Sequence, residues 1–280
     1  MPQSVESRSI LVTGAASGIG RETALLFAER GWRVGGFDLD TAGLERLGKD
    51  LAPHSGVTGH LDVTDAAAFQ AAVGGFAEAA GGRLDLLHNN AGIAESGWFE
   101  DVPLEAALRV IQVNLVGVVN GVYAALPWLR RTPGSLCFNT SSSSAVFGAP
   151  RLAVYAATKF AVKGLSEALS VEFERHGVRV ADVLPGLIDT PLLDATPNHS
   201  GPAEEGILAR AKLTTQGPFR LITPREIAEC VWSAYHDETG RLHWYVPEEI
   251  ADLEAAKAGD IAGVRAALRE AALGSATPEA

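Results

Sequence analysis

The chain reads SILVTGAASGIGRETALLFAERG from residue 9 to residue 31. A short apolar run at 10–13 has the length of a buried strand, and the glycines that follow it allow a tight turn. The next segment, 21–30, has apolar residues at helical spacing and stops at Gly31, a residue type that commonly ends helices. This stretch therefore predicts a strand, a glycine-rich turn and a helix in direct succession.

The same alternation continues along most of the chain. Short apolar runs of strand length, each bounded by turn residues, lie at 10–13, 33–37, 57–61, 84–88, 136–139, 178–184 and 242–246. Several lack strict apolar–polar alternation, which is typical of strands buried on both faces. Helix-length segments separate them, including one that Asp65 can cap. The pattern predicts a doubly wound α/β fold, with a parallel sheet, helices on both of its faces and a three-layer sandwich.

A chain of 280 residues is long enough for one or two domains, and we predict a single domain over 1–260. Hydrophobic residues make up 47% of it, which is enough for a sizeable core and excludes global disorder. The segment 189–218 is too long for a plain connector, so we interpret it as a substrate lid. In the C-terminal part, 261–280, we expect a helix over 260–270 and a flexible tail from residue 271.

Composition also limits the partners. The formal net charge of −11 and the lack of a long basic run argue against a nucleic-acid partner. Cys137 and Cys230 match no metal or disulfide spacing, the histidines form no ligand pattern, and no metal is expected. The N-terminal residues contain no apolar segment long enough for a signal peptide or a membrane span. We therefore expect a cytoplasmic protein that does not bind membranes.

The turn after the first predicted strand has the composition of a phosphate-binding loop. Its glycines let the backbone approach a pyrophosphate, and the N-terminus of the next helix stabilises negative charge. A plain tight turn would use the same glycines, but the position between a strand and a helix favours a Rossmann-type dinucleotide site. The residues expected to bind the cofactor here are Gly14, Ser17, Gly18, Ile19 and Gly20.

An acidic residue, Asp38, ends the second predicted strand. A carboxylate there can accept hydrogen bonds from both ribose hydroxyls of NAD, and it would repel the 2′-phosphate of NADP. No basic residue lies between Gly14 and Gly20 to offset that repulsion. Asp38 could also be a solvated turn residue beside Asp40. In this context the sequence predicts NAD as the cofactor.

Further motifs follow the later strands in a fixed order. They are Asn89-Asn90-Ala91-Gly92, Asn114, the serines at 141–144, Tyr155 followed by Lys159, and Pro185-Gly186. Together with the glycine loop they make the chain resemble the short-chain dehydrogenase/reductase family from about residue 10 to residue 190. The resemblance implies an oxidoreductase that transfers a hydride to or from a nicotinamide cofactor.

The catalytic chemistry can be argued from the residues themselves. Tyr155 and Lys159 are four residues apart, so one helix face presents both the phenol and the ammonium group. A phenol is a poor base at neutral pH, but a nearby cation lowers its pKa. We therefore expect Lys159 to tune Tyr155 as the general acid/base. A serine hydroxyl can hold the substrate oxygen because it both donates and accepts hydrogen bonds.

The family resemblance assigns further roles. It places the catalytic serine 13 residues before the tyrosine, at Ser142, although the neighbouring serines leave that choice open. It also implies that Asn114 opens its helix for a proton relay, whereas an ordinary polar helix residue is the alternative. The cofactor contacts that it implies are Asp62, Val63, Asn90, Ala91, Gly92, Tyr155, Lys159, Pro185, Gly186, Ile188 and Thr190. His88 is unusual, because related sequences usually have an aliphatic residue there.

These features predict an NAD-dependent alcohol dehydrogenase or ketone reductase. A non-catalytic dinucleotide-sensing module, an NADP-dependent carbonyl reductase and a sugar-nucleotide epimerase are the alternatives. The expected pocket lining is apolar, with Trp98, Val146, Phe147, Leu187, Leu192 and Leu193, and Lys159 is its only expected cation. The substrate should therefore be an uncharged, fairly hydrophobic secondary alcohol or ketone. Apolar helices around 110–129 and 152–173 predict a homo-tetramer, with a dimer as second choice.

Overall fold

A computed structural model describes residues 7–54, 56–202, 205, 206, 208 and 216–273. Within them, a seven-stranded sheet has the order β3-β2-β1-β4-β5-β6-β9, and every neighbouring pair is parallel. Its strands are β1 (Ser9–Thr13), β2 (Arg33–Asp38), β3 (Val57–His60), β4 (Leu86–Asn89), β5 (Leu136–Thr140), β6 (Arg179–Pro185) and β9 (His243–Val246). A separate parallel pair joins β7 (Leu187–Ile188) to β8 (Leu221–Ile222). All seven predicted strands are present, and the doubly wound α/β prediction is confirmed.

Helices cover both faces of the sheet. They are α1 (Gly18–Glu29), α2 (Thr41–Leu51), α3 (Ala66–Ala79), α4 (Leu104–Ile111), α5 (Gly117–Leu129), α6 (Ala153–Glu172), α7 (Pro191–Ala195), α8 (Pro224–His236), α9 (Glu249–Gly259) and α10 (Ile261–Leu273). On one face α1 packs against α8, and on the other α3 packs against α5. Each face has its own apolar core, with Phe27 and Ile227 in one and Phe69 and Val122 in the other.

Local sequence explains the helix ends. Helix α1 begins at Gly18 rather than at the predicted residue 21, because the last residues of the glycine loop already belong to it, and Gly31 follows it with a positive φ of 80°. Asp65 caps α3 as predicted, accepting hydrogen bonds from two backbone N–H groups of its first turn. Helix α10 continues to Leu273, so the predicted tail does not begin at residue 271. The rest of that tail, 274–280, lies outside the described residues.

The longest apolar helical stretch is Leu104–Leu129, which joins α4 and α5 through one π-helical turn (Gln112–Val116). Among the described residues it is the one helix with the length and hydropathy of a membrane span. It packs against α3, α6 and the sheet, and 44% of its most apolar window is buried in the fold. Burial in the core therefore explains part of the apolar composition of this helix.

The sheet order determines where a ligand can bind. The chain moves outwards from β1 in one direction and then restarts on the other side with β4. The loops that leave β1 and β4 therefore diverge to opposite faces and open a crevice at the carboxyl ends of these strands. The segment that we interpret as a lid enters this region through α7 and returns through β8. Within it, residues 203, 204, 207 and 209–215 lie outside the described part.

Candidate active site

A cavity of about 600 Å³ lies at the carboxyl ends of the central strands. Its wall contains nearly all of the site residues predicted from the sequence, although they come from distant parts of the chain. They are Gly14, Ser17, Gly18, Ile19, Asp38, Asp62, Val63, Asn90, Ala91, Gly92, Ser142, Tyr155, Lys159, Pro185, Gly186, Ile188 and Thr190. Gly20 and Asn114 are not part of the wall.

The glycine loop forms one side of the cavity. Gly14 and Gly18 have positive φ angles of 67° and 52°. A Cβ at Gly14 would lie 2.9 Å from the Ala91 Cα, and one at Gly18 would lie 2.9 Å from the Thr190 Cγ2, so larger residues would close the loop against its neighbours. No side-chain hydrogen bond caps α1, and its first turn has no acidic residue. The positive end of the helix is thus open to an anion such as a pyrophosphate.

Gly20 has a different role from the one predicted. A Cβ there would lie 2.1 Å from the backbone oxygen of Gly14, which no side chain can tolerate. Gly20 therefore lets α1 pack under the loop, and it is not part of the cavity wall. The spacing of glycines does not distinguish such a packing glycine from one that contacts a ligand.

Asp38 is oriented towards the cavity by two backbone hydrogen bonds. Its Oδ2 accepts from the Ala16 N–H and its Oδ1 from the Asp40 N–H, both at 2.9 Å. Each oxygen keeps a second lone pair for another donor. A carboxylate at the end of β2 fits the ribose of a dinucleotide whose pyrophosphate lies at the glycine loop.

The structure distinguishes among the four serines. The side chain of Ser142 is hydrogen-bonded to Tyr155 and also accepts from the Ser144 N–H at 3.1 Å. The Ser141 hydroxyl instead donates to the backbone oxygen of Lys159 at 2.9 Å, which fixes the start of the serine loop against α6. Ser142 is therefore the serine that can share a substrate oxygen with Tyr155.

Tyr155 and Lys159 lie on the same face of α6 and line the cavity, where Lys159 is buried and Tyr155 is half-buried. Burial raises the pKa of the Tyr155 phenol, and the hydrogen bond from Ser142 offsets this increase in part. Burial also lowers the pKa of Lys159 to about 8. The Lys159 Nζ donates to the Thr140 carbonyl at 2.9 Å and lies 5.6 Å from the centre of the Tyr155 ring.

In the protein alone, the pKa of Tyr155 is raised rather than lowered, although Lys159 lies nearby. The lysine ammonium contacts a backbone oxygen rather than the phenol, and burial disfavours its protonated form. In the protein alone, burial is thus the dominant influence on Tyr155. The sequence could show the four-residue spacing but not the loss of solvent around both groups.

Asn114 lies in the π-helical turn between α4 and α5 and is fully buried. Its Oδ1 accepts from the Ile93 N–H at 2.8 Å, and its Nδ2 donates to the Ile93 oxygen at 2.9 Å and to the Thr158 hydroxyl at 3.3 Å. The helix is widened at the position that the family resemblance implied. Asn114 thereby ties the loop after β4 to α6.

The predicted adenosine contacts lie at the ends of β3 and β4. Asp62 accepts at Oδ1 from the N–H and the hydroxyl of Thr64, which closes a tight turn beside the cavity. The Asn90 amide donates to the Thr13 oxygen at 3.0 Å and to the Gly14 oxygen at 3.4 Å. Asn90 therefore also supports the glycine loop.

The end of the cavity away from the glycine loop, where we expect the substrate and which we call the substrate end, is largely apolar. The prediction was wrong for two of its lining residues. Val146 is buried in a small core with Leu184 and Ile250, and Trp98 lies outside the wall. Phe147, Leu187, Leu192 and Leu193 do line the cavity. Lining residues that were not predicted from the sequence include Ile93, Ala94, Val113, Thr140, Ala149, Leu152, Leu208 and Phe219. Ile93 and Ala94 follow the Asn-Asn-Ala-Gly motif directly and could have been inferred. Phe219 follows the segment that we interpret as a lid, and only folding brings it to the cavity.

Charge in the cavity is sparse. Among the described residues that line it, Lys159 is the one cation, and Asp38 and Asp62 are the acidic groups at the opposite, glycine-loop end. The described residues contain no group of three or more His, Cys, Asp or Glu side chains that could hold a metal ion. Away from the glycine loop, the polar side chains that line the cavity are therefore mainly hydroxyls, including those of Ser142 and Tyr155.

Comparison with known proteins agrees with this arrangement. A family model described as short chain dehydrogenase matches residues 8–200. The probable oxidoreductase EphD of Mycobacterium tuberculosis is 37% identical over 80% of the chain, which spans only 39% of that longer relative. The 2-keto-3-deoxy-L-fuconate dehydrogenase of Xanthomonas campestris is 37% identical, with 85% of this chain and 79% of the relative covered. A 2,5-dichloro-2,5-cyclohexadiene-1,4-diol dehydrogenase, LinX, of Sphingobium indicum is 36% identical, with 70% and 79% covered.

Two solved structures show the same architecture. A 3-ketoacyl-(acyl-carrier-protein) reductase from Brucella melitensis, complexed with NADH, has a TM-score of 0.75 and 29% identity over 87% of this chain and 98% of its own. An alcohol dehydrogenase from Thermococcus sibiricus, complexed with 5-hydroxy-NADP, has a TM-score of 0.71 and 26% identity over 86% and 95%. The neighbours thus include proteins with each of the two nicotinamide dinucleotides.

Proposed function

The chain belongs to the short chain dehydrogenase family, and we propose that it is an oxidoreductase. It transfers a hydride between NAD(H) and an uncharged, fairly hydrophobic secondary alcohol or ketone. The observation that carries this proposal is the position of the hydrogen-bonded Ser142 and Tyr155 in the wall of a cavity whose substrate end is apolar. A dinucleotide-sensing module would have no use for this pair.

The mechanism assigns one task to each residue. A nicotinamide dinucleotide bound along the glycine loop would supply the chemistry that takes or gives the hydride. Ser142 holds the substrate oxygen, because its hydroxyl can donate to a carbonyl and accept from an alcohol. Tyr155 accepts the hydroxyl proton during oxidation and returns it during reduction. Lys159 is held in place by the Thr140 carbonyl, so its ammonium stays near the Tyr155 phenol.

Asp38 supports the preference for NAD. Its carboxylate is held by two backbone N–H groups and is aimed at the position expected for a ribose diol. No arginine or lysine among the described residues lines the cavity at that end, so a 2′-phosphate would meet a carboxylate without a compensating cation. An NADP-dependent carbonyl reductase is the alternative.

The apolar substrate end supports an uncharged, ring-shaped substrate. A carboxylate or phosphate buried there would lose its hydration without gaining a cation, since Lys159 is already committed to Thr140. Phe147 and Phe219 meet edge to face, with ring centres 5.6 Å apart, and form one apolar wall. The cyclic diol in the name of the LinX relative has this chemical character.

A panel of substrates with each cofactor tests the proposal. Cyclic and aryl-alkyl secondary alcohols are offered with NAD or NADP, and NADH or NADPH absorbance is followed. We expect NAD with an uncharged cyclic alcohol to give the highest kcat/KM. Faster turnover of hydroxy acids or sugar phosphates would contradict the substrate proposal, and preference for NADP would contradict the cofactor proposal. No turnover of any alcohol or ketone, with tight dinucleotide binding, would favour a sensing module.

We also propose a cytoplasmic homo-tetramer as the working form. The described residues include large apolar side chains that remain exposed on α4, α5 and α6, among them Leu104, Tyr123 and Val171. Such surfaces are usually covered by another protein chain. The two free, buried thiols are consistent with a reducing compartment.

A further inference from the structure

His88 is a buried histidine in the middle of the sheet. It belongs to β4, between β1 and β5, and none of its surface is exposed. Its Nε2 lies 2.9 Å from the Thr140 hydroxyl oxygen, whereas its Nδ1 has no hydrogen-bond partner among the described residues. Burial lowers the pKa of His88 to about 3, so the ring is neutral near neutral pH. The mechanism makes no use of it.

The neighbours of His88 determine its tautomer. If Nδ1 carried the proton, a buried N–H donor would be left without an acceptor, and the Thr140 hydroxyl would have to donate to Nε2. That hydroxyl lies 3.4 Å from the Asn90 Oδ1, an acceptor with which it is already paired as donor. The arrangement is satisfied when Nε2–H donates to Thr140 and Thr140 donates to Asn90. Only a lone pair on Nδ1 then remains unpaired.

The hydrogen bonds continue from Asn90 to the glycine loop. Because the Asn90 Oδ1 accepts from Thr140, its Nδ2 faces the loop and donates to the Thr13 and Gly14 oxygens. A reversed amide would place its oxygen against those two carbonyl oxygens. Thr140 also contributes the carbonyl that holds the Lys159 ammonium at 2.9 Å. One directed chain thus runs from the sheet interior to the loop that cradles a dinucleotide.

We propose that His88 is a positioning residue for dinucleotide binding, acting through Thr140 and Asn90 on the backbone of the glycine loop. It contacts neither substrate nor cofactor. Its neutral Nε2–H sets the direction of the Thr140 hydroxyl, which sets the orientation of the Asn90 amide. The inference rests on the proposed function, because it requires that a nicotinamide dinucleotide binds at Gly14 and Gly18.

Three variants measured by calorimetric titration with NAD test the inference. His88→Leu keeps a similar volume and removes the donor, so the dissociation constant for NAD should rise about two- to tenfold, as expected for one neutral hydrogen bond. His88→Gln can place an amide N–H towards Thr140 and should recover most of the lost affinity. Leu86→Val alters the same face of β4 without a polar group and is the matched control for a loosened core.

A double variant separates a chain of hydrogen bonds from general core support. Thr140→Val removes the next link while leaving the Thr140 carbonyl in place. If His88 acts through Thr140, the pair His88→Leu and Thr140→Val should weaken NAD binding no more than Thr140→Val alone. Additive losses, or a Leu86→Val loss equal to that of His88→Leu, would overturn the inference.

The wild-type protein gives a test that needs no variant. With ¹⁵N-labelled histidine, the His88 ring should show a protonated Nε2 and an unprotonated Nδ1, unchanged between pH 5 and pH 9. A proton on Nδ1 would contradict the chain of hydrogen bonds. Wild-type protein that binds neither NAD nor NADP would contradict the proposed function itself. Wild-type binding with unchanged affinity in His88→Leu would overturn the role of His88 alone.

Discussion

Tyr155 is the residue at which burial and chemistry are most directly linked. A phenol excluded from water stays protonated to a higher pH than one in solvent, because its phenolate loses hydration. The hydrogen bond from Ser142 stabilises the phenolate and works in the opposite direction. The protein at neutral pH therefore holds a protonated phenol beside a hydroxyl that can bind the same substrate oxygen.

Removal of the phenolic oxygen should abolish proton transfer with little effect on cofactor binding. We expect Tyr155→Phe to lower kcat/KM by more than tenfold, a change of over about 1.4 kcal/mol in the barrier. The dissociation constant for NAD should stay within a few-fold of wild type. Ser144→Ala is a suitable control, because the Ser144 contact to Ser142 uses its backbone N–H and survives the change. Retention of more than a tenth of wild-type kcat/KM would refute the catalytic role.

The raised pKa of Tyr155 has opposite effects on the two reaction directions. Oxidation needs the phenolate, whose fraction grows with pH as long as the pH lies below the pKa. The kcat/KM for alcohol oxidation should therefore rise steadily from pH 6 to pH 9. Reduction needs the phenol, which is already the main form there, so its kcat/KM should not rise over that range. A profile in which oxidation declines above pH 7 would contradict this assignment.

Asp38 should decide between the two dinucleotides. In Asp38→Ser the carboxylate is lost, so NAD loses an acceptor for its ribose and NADP loses a source of repulsion. The ratio of kcat/KM for NAD to that for NADP should fall at least tenfold, about 1.4 kcal/mol. Asp40→Asn is the matched control, since Asp40 is a neighbouring, exposed carboxylate that is absent from the cavity wall. An unchanged ratio in Asp38→Ser would show that another group makes the selection.

Sequence reasoning succeeded for residues whose type and spacing carry the chemistry. Tyr155 and Lys159 could be placed on one helix face by counting, and Asp38 by its position at a strand end. The choice among the serines, and the role of Gly20, depend on which atoms lie within about 3 Å, which spacing does not fix. The pKa of Tyr155 in the protein alone could not be predicted either, because the loss of hydration around its phenol arises only from the folded chain.

At the level of elements, the segment that we interpret as a lid is attached at 197–199 to the loop that follows β4. The Ser96 N–H donates to the Pro197 oxygen at 3.0 Å, and the His199 N–H donates to the Ser96 oxygen at 2.8 Å. The nearly buried Glu95 carboxylate accepts from the His199 Nε2 at 2.8 Å and from Arg109 at 3.1 Å. This junction lies next to Ala94 in the cavity wall. It positions one edge of the substrate end.

Loss of the Glu95 charge should affect the substrate more than the cofactor. In Glu95→Gln the lid keeps its backbone contacts but loses the charged acceptor between His199 and Arg109, a change of about 1 kcal/mol. We expect KM for a bulky cyclic alcohol to rise about fivefold with an unchanged dissociation constant for NAD. Arg109→Gln is the control: the Arg109 side chain is 66% exposed, so its ion pair contributes little. Equal effects of both variants would contradict the importance of the junction.

Elements with a regular pattern were predictable, and those defined by tertiary contacts were not. Five of the seven strands are largely buried and could be located as short apolar runs. The edge strands β3 and β9 are only partly buried, but they too have apolar residues and are bounded by turns. The π-helical turn around Asn114 and the short β7–β8 pair lack such a pattern. Each exists because of a neighbour: Asn114 pairs with Ile93, and β7 pairs with a strand more than thirty residues away.

In the whole molecule, the large apolar residues divide between the core and the surface. Two apolar cores, one on each face of the sheet, contain most of the large hydrophobic residues that are buried. Tyr123 on α5 is nevertheless 78% exposed, and Val171 on α6 is 68% exposed. The sequence revealed an excess of apolar residues in these helices, but only the structure separates those that fill the core from those left on the surface. The exposed apolar side chains on these helices favour an assembly in which another protein chain covers them.

The prediction of a homo-tetramer follows from these exposed apolar side chains. We expect light scattering at micromolar concentration to give the mass of a tetramer, with a dimer as second choice, because covering side chains such as Tyr123 and Val171 removes apolar area from water. Tyr123→Glu and Val171→Glu would place a charge in the interface and should shift the protein towards smaller species while each subunit stays folded by circular dichroism. Ile261→Glu is the matched control, because Ile261 is an exposed apolar residue at the start of α10, outside these helices. A monomeric wild-type protein would contradict the prediction, and equal dissociation by Ile261→Glu would place the interface elsewhere.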